Sequence, residues 1–351
     1  MINSIEVNNF KSIDDLKLDC TKLNLFVGVN SSGKSTIIQS ILCIAQNVMH
    51  PCGLNGELME LGEFIENKCI YSKETDIQYE VKTNVGEYSI DFKQAEESSR
   101  IECSIVECTD GVEQQFDRRN KKFSYISCHR VGPQDSYKKN ISIDDYIDAD
   151  GEYAISYLYY HGKDVINDNL CKNKADLTLL GQVNWWLNYI VHAEVTTEAF
   201  TGTNLVKASY KMYDGTNIRP VNIGAGISYL VSIIINCLAS GENAVIIIEN
   251  PEIHLHPKAQ SRLCEFLYFI ASNDRQLFVE THSDHIFNGF RVGISNGQMK
   301  SSDINLEFVY LNEYHTTECM KVEIGKYGKI INQKPDLFDQ FDLDLNRMLG
   351  I

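Results

Sequence analysis

Apolar and polar positions alternate along residues 2–19, where Ile5, Val7, Phe10, Ile13, Leu16 and Leu18 are separated by polar neighbours, and this period predicts two short strands. Residues 22–27 (KLNLFV) read as a short buried strand. Immediately after it, residues 35–46 place Ile37, Ile38, Ile41, Leu42 and Ile44 at helical spacing. Strand patterns recur at 76–83, 87–92, 101–108 and 122–128, which together predict an antiparallel β-rich layer. From 142 to about 192 the period turns helical, most clearly at 153–160 and 183–191. Past Ala208 strands return, followed by a helix over 228–239 and the very apolar AVIIIE of residues 244–249. A continuous β-branched run of that kind predicts a strand buried on both faces, as in a parallel α/β sheet. A helix over 258–270, a strand over 276–280, a helix from Ser283 and a strand pair at 305–311 and 319–324 complete the series. The whole predicts an α/β chain with a mixed central sheet, an antiparallel layer and a helical insertion, without heptad arrays or internal repeats.

Composition narrows this picture only modestly. With 351 residues, 43% of them hydrophobic, the chain can bury a full core. No apolar run approaches the roughly 20 residues of a membrane span. The amino-terminal MINSIEVNNFKSI lacks the basic start and apolar centre of a secretory signal, so a cytoplasmic location with no membrane partner is expected. The 11 cysteines contain no C-x-x-C pair and sit mostly in apolar contexts, such as Cys43, Cys237 and Cys264; they are expected to be reduced core residues. Charge changes the picture more. A formal net charge of −16, from 32 basic and 48 acidic side chains, opposes broad contact with a phosphate backbone. Arg118, Arg119, Lys121, Lys122, Lys138 and Lys139 are the candidate local exceptions.

The chemistry starts at residues 28–35, GVNSSGKS, which fit the phosphate-binding pattern G-x-x-x-x-G-K-[ST] between a predicted strand and a predicted helix. Gly28 and Gly33 allow the backbone to wrap phosphates, with successive N–H groups and a helix N-terminus facing the negative charge. Asn30, Ser31, Ser32, Gly33, Lys34, Ser35 and Thr36 are therefore the expected nucleotide contacts, with Lys34 on the β- and γ-phosphates and Ser35 on Mg²⁺. Such a loop needs an acid at the end of a neighbouring buried strand. Glu249 is assigned that metal-holding role, because it closes the only strand that looks apolar enough. The polar stretch NPEIHLHP after it, residues 250–257, lies past the carboxyl end of a central strand, where ligands bind in open α/β sheets. His282, in VETHS, follows another buried strand and is a candidate γ-phosphate contact.

The loop at Gly28–Ser35, the glycine motif NIGAGIS at 222–228, the strand ending in ENPEIHLHP and the ETHS histidine occur in one order along the chain. That order resembles the ABC-type ATPase heads of the RecF, SMC and OLD lineage, and most of all the compact ATPases that stand beside nucleases in bacterial antiviral systems of the Septu and PARIS type. NNFKSI at the start, HRVGP at 129–133 and KPDLFDQFDLDL at 334–345 are similar to that group as well. The resemblance implies an ATPase head formed by residues 1–135 and 201–351, interrupted by a helical insertion at 136–200. It implies ATP and Mg²⁺ as cofactors and a head-to-tail dimer or higher oligomer, in which Gly224, Gly226 and Ser228 of one subunit complete the nucleotide site of another. Lys11 joins the nucleotide contacts on the same ground. A partner effector such as a nuclease is implied, with nucleic acid reached through that complex. Many ABC ATPases carry a glutamate directly after the metal-holding acid; here the position is Asn250, which cannot accept a proton. Asn250 is then expected to orient water, with Glu252 or His282 as base, and hydrolysis to be slow. The alternatives are a largely non-hydrolysing, ATP-gated scaffold that holds an effector, and a RecF-like DNA repair ATPase.

Overall fold

Leu23–Val27, Val245–Glu249 and Gln276–Glu280 are each buried along their whole length in the computed structural model, which describes residues 1–95, 100–142, 144, 146–212 and 214–350. Strands covered on both faces need no polar alternation, which is why their sequences are nearly uniform in hydrophobicity. Ile77–Thr83 and Glu87–Gln94 differ, since every second residue is buried and the others are partly open. One face of such a strand packs and the other is wet.

The chain divides into two compact units, one of Met1 and Gly111–Val279, the other of Ile2–Asp110 and Glu280–Ile351. The second unit contains the GVNSSGKS loop. Its antiparallel sheet has five strands in the order Ile13–Asp19, Ile2–Phe10, Ile77–Thr83, Glu87–Gln94 and Ile101–Cys108. Val7 faces Leu16 on one side and Tyr79 on the other, so the alternating apolar residues line one face. In the same unit Leu23–Val27 pairs in parallel with Ile304–Leu311, which pairs antiparallel with Thr317–Lys321. This gives the mixed sheet that the sequence pattern predicts. The loop leads into the helix Lys34–Met49, buried nearly all round, whose last turn is closed by Asn47: its Oδ1 accepts the N–H groups of Cys52 and Gly53 at 2.8 and 2.9 Å.

In the first unit Phe123–Ile126 lies parallel to Val245–Glu249, with Val245 opposite Phe123 and Ile248 opposite Ile126. The expectation that residues 122–128 belong to the antiparallel layer is therefore corrected. Local alternation identifies a strand but carries no information about its partner. A separate antiparallel sheet joins Ala193–Ala199 to Leu205–Met212, flanked by Asn217–Ile218 and Tyr137–Lys138. Around them stand the helices Ala154–His161, Leu179–Val191, Ala225–Ala239 and Pro257–Ser272. Residues 136–200 thus hold two of these helices together with strands. Trp186 packs its buried ring against Phe266 and Phe269, while Trp185 stacks on Tyr189. Among the described residues no helix is long and apolar enough to cross a membrane.

The two kinds of strand predict different costs of truncation. Ile247 is fully buried, and Ile247→Ala should destabilise the fold by about 2–5 kcal/mol in chemical denaturation. Ile105 is 46% exposed on the edge strand, and Ile105→Ala should cost less than about 1 kcal/mol in the same experiment.

Candidate nucleotide site

Gly28 and Gly33 hold φ angles of 147° and 106°, and Ser31 between them sits at 61°, so the loop turns through backbone conformations that side chains disfavour. Space imposes the same choice. A Cβ on Gly28 would run into the Val309 carbonyl, and one on Gly33 would run into the Thr317 side chain. Thr317 braces the loop from outside, its Oγ1 lying 3.0 Å from Ser32 O and 2.7 Å from Ser12 Oγ. Inside, the Lys34 ammonium donates to the carbonyls of Gly28 and Val29 at 2.9 and 2.8 Å, and the residue is only 3% exposed. Ser32 Oγ is buried without a hydrogen-bond partner, and no side chain caps the N-terminus of the helix Lys34–Met49. These donors fit a chain of phosphates. Asn30, Ser31 and Ser35 are exposed at the loop, whereas Thr36 is buried in the first helical turn. Lys11 reaches the same helix, donating to Gln39 Oε1 at 2.7 Å, and burial holds its ammonium below the ordinary lysine value.

Residues 280–283 belong to the same compact unit. The Ser35 hydroxyl donates to Glu280 Oε1 at 2.8 Å, and Glu280 is 3% exposed. The Thr281 N–H donates to the carbonyl of Phe26 at 3.1 Å. Ser283 caps the helix Asp284–Ser295 by accepting the Ile286 N–H at 3.1 Å. For His282, desolvation and then the charge of Lys34 lower the imidazole below the usual histidine range, so its neutral form is favoured. Glu280 is not among the sequence-based candidates. The premise that residues 244–249 form the only strand apolar enough to end in an acid is corrected, since Gln276–Glu280 is buried just as completely and also ends in a glutamate. The signal was present in QLFVE, whose terminal Gln and Glu mask the apolar centre.

The remaining candidates lie in the other unit. Glu249 is 7% exposed and accepts the Cys128 N–H at 3.0 Å. Burial, with Glu249 beside it, pushes the Tyr125 phenol up. Arg130, absent from the sequence-based candidates although it stands in HRVGP, is buried and clamps the strand end: it donates to Glu249 O at 2.6 Å, Ser127 O at 2.8 Å and Asn250 O at 2.9 Å. Asn250 adopts φ 43°, and its Oδ1 is buried without a hydrogen-bond partner. The Glu252 carbonyl accepts the Leu255 N–H at 2.9 Å, and the charge of its carboxylate is felt at Arg130. His254 stacks on Tyr229, and His256 caps the helix Pro257–Ser272. In the glycine motif, a Cβ on Gly226 would run into the His254 carbonyl, so this glycine lets the helix Ala225–Ala239 approach the loop. Gly224 is exposed with open space beside it, whereas Ser228 is buried against the Tyr137 and Tyr210 hydroxyls. Gly224, Gly226, His254, His256, His192, Lys258 and Arg262 help to line a cavity of ≈ 290 Å³.

The candidate basic patches are locally engaged. Arg118 and Arg119 approach Asp148 and Asp144 at 3.7 and 3.3 Å, and Lys138 pairs with Glu152 at 2.8 Å. Lys121 donates to the Tyr157 hydroxyl at 2.6 Å, Lys122 to Glu242 O at 2.8 Å and Lys139 to Thr203 O at 2.9 Å.

Among curated proteins, an "ATP/GTP phosphatase" of Helicobacter pylori is 28% identical over 95 residues, a stretch that spans 27% of this chain and only 23% of that protein. Solved structures share the fold at low identity. The SMC head domain from Thermotoga maritima is 13% identical with a TM-score of 0.50, covering 92% of this chain and 99% of that one. An SMC head bound to the C-terminal winged-helix domain of ScpA is 13% identical at 0.57, covering 92% and 98%. The SMC head with an extended coiled coil bound to the C-terminal domain of ScpA, from Pyrococcus furiosus, is 11% identical at 0.56, covering 100% and 99%. The architecture is therefore the α/β fold of SMC heads, with mixed and antiparallel sheets. The family described as "AAA domain, putative AbiEii toxin, Type IV TA system" matches residues 23–288, from the strand before the phosphate loop to the helix after His282, and this chain belongs to that family.

Proposed function

We propose that the chain binds ATP with Mg²⁺, hydrolyses it slowly, and uses that cycle to close and open a head-to-tail dimer that controls a partner effector, such as a nuclease, in antiviral defence or DNA surveillance. The observation that carries the nucleotide part is the shape of the phosphate loop: left-handed glycines braced by Val309 and Thr317, with Lys34 folded onto the loop's own carbonyls. Lys34 exchanges those carbonyls for β- and γ-phosphate oxygens on binding, while the N–H groups at the start of the helix and the Ser32 hydroxyl take the remaining oxygens. Mg²⁺, when bound, neutralises charge between the β- and γ-phosphates; the Ser35 hydroxyl and the Glu249 carboxylate are oxygen donors of the kind it takes. Hydrolysis then needs a water to add to the γ-phosphorus as the bond to the β-phosphate oxygen breaks, giving ADP and phosphate. The water's proton goes to His282 or Glu252, and Asn250 orients the water. A neutral imidazole is the form that can accept it, which the lowered His282 value supports.

Dimer closure draws support from the exposed Gly224 at an uncapped helix N-terminus, where a γ-phosphate of a second copy would meet backbone donors. Association with a partner is supported by analogy with the SMC heads solved with ScpA domains. Engagement of the basic side chains with their own neighbours favours nucleic acid reached through a complex over direct contact by this chain. Asn250 favours a second reading, the gated scaffold: its backbone is fixed by Arg130, and its amide replaces a proton-accepting carboxylate.

Purified protein assayed for ATP binding and turnover tests this directly. Lys34→Ala should weaken ATP binding by about a hundredfold or more and abolish turnover, while tight binding without turnover in the unaltered protein would move the assignment to the scaffold. A pH titration of His282 by NMR should give a midpoint below the ordinary value near 6.5. Because folding favours the neutral ring, the stability it contributes is complete above that ordinary value and is lost as pH falls through the folded one. Thermal melts of His282→Gln should accordingly lose less stability on acidification across that window than the unaltered protein.

A further inference from the structure

Two glutamates end fully buried strands, and Glu280 is the one that shares a compact unit with the phosphate loop. We propose that Glu280 joins Ser35 in holding the divalent cation that accompanies the nucleotide, an inference that rests on the nucleotide-binding reading above.

The contact that points to this role is the 2.8 Å hydrogen bond from the Ser35 hydroxyl to Glu280 Oε1. In a loop of this class that hydroxyl is the metal's protein ligand, so its partner stands where the cation is bound. The Glu280 carboxylate is 3% exposed and lies within hydrogen-bond distance of that hydroxyl, so the two oxygens stand side by side at the loop. A divalent cation of this kind takes oxygen donors, carboxylates before others. The position is also rigid. The strand Gln276–Glu280 is buried throughout, Thr281 is tied to Phe26 O at 3.1 Å, and Ser283 begins the next helix as its cap. Glu280 therefore has little freedom to move away from Ser35. A purely structural glutamate would need only an oxygen that accepts the Ser35 proton, which the amide of glutamine also provides. That difference makes the two roles separable.

The experiment measures ATP affinity by calorimetry for the unaltered protein, Glu280→Gln, Glu280→Asp and Lys34→Ala, each with Mg²⁺ and with EDTA, together with the EPR spectrum of Mn²⁺ in the nucleotide complex. Glu280→Gln should keep its affinity in EDTA and lose about tenfold or more of the gain given by Mg²⁺, with an altered Mn²⁺ spectrum. Glu280→Asp, which keeps the charge on a shorter stem, should recover part of that gain. Lys34→Ala should lose affinity in both conditions. An undiminished Mg²⁺ gain and an unchanged Mn²⁺ spectrum in Glu280→Gln would overturn the role of Glu280 while leaving nucleotide binding intact. Failure of the unaltered protein to bind ATP in either condition would overturn the nucleotide reading and this inference with it.

Discussion

A buried ammonium on a loop of strained backbone is the constraint around which the site is organised. Lys34 is held in its position by the Gly28 and Val29 carbonyls, which accept its protons, and those carbonyls face it because Gly28 and Gly33 turn where other residues would not. The neighbouring strands enforce the same shape from outside. Val309 contributes a backbone carbonyl that leaves no room for a Cβ at Gly28, and Thr317 does so with its side chain at Gly33. The two strands that carry these residues thus mould a loop that is distant from them in sequence. A loop held in this way would spend little further conformational entropy on binding an anion in place of the carbonyls around Lys34.

Electrostatics around the loop is local rather than global. The chain carries a net charge of −16, and the basic side chains that might have formed an attractive surface are occupied by Asp148, Asp144, Glu152 and nearby hydroxyl or carbonyl groups. The donors at the loop would act on a multiply charged anion at short range, through contact and burial more than through a long-range field. The neutral form of His282 is favoured near the loop, since burial and the Lys34 charge both oppose its protonation. Charge repulsion between the two side chains is thereby kept out of the loop.

In the other unit an arginine supplies the order that the glycines supply at the loop. Arg130 holds three carbonyls at the end of the strand Val245–Glu249, among them those of Glu249 and Asn250. Asn250 tolerates its φ of 43° because its short amide side chain suits the left-handed region better than most. The close passage of Gly226 past the His254 carbonyl then couples the start of the helix Ala225–Ala239 to the same loop.

The sequence by itself determined what depends on local pattern: the GVNSSGKS loop and its flanking strand and helix, the alternation of Ile77–Thr83 and Glu87–Gln94, and the fully apolar Val245–Glu249, while the order of its motifs carried the resemblance from which the head fold was expected. Period and steric need are written in neighbouring residues, so they survive without the fold. Tertiary structure alone decided partners. Phe123–Ile126 lies parallel to Val245–Glu249 because pairing is chosen by packing, not by the strand's own alternation. Arg130 became a clamp, and Thr317 a brace, only when distant segments met. Glu280 shows the difference most plainly: QLFVE can be read as a buried strand that ends in an acid, but its hydrogen bond to Ser35, 245 positions away, is made only by folding.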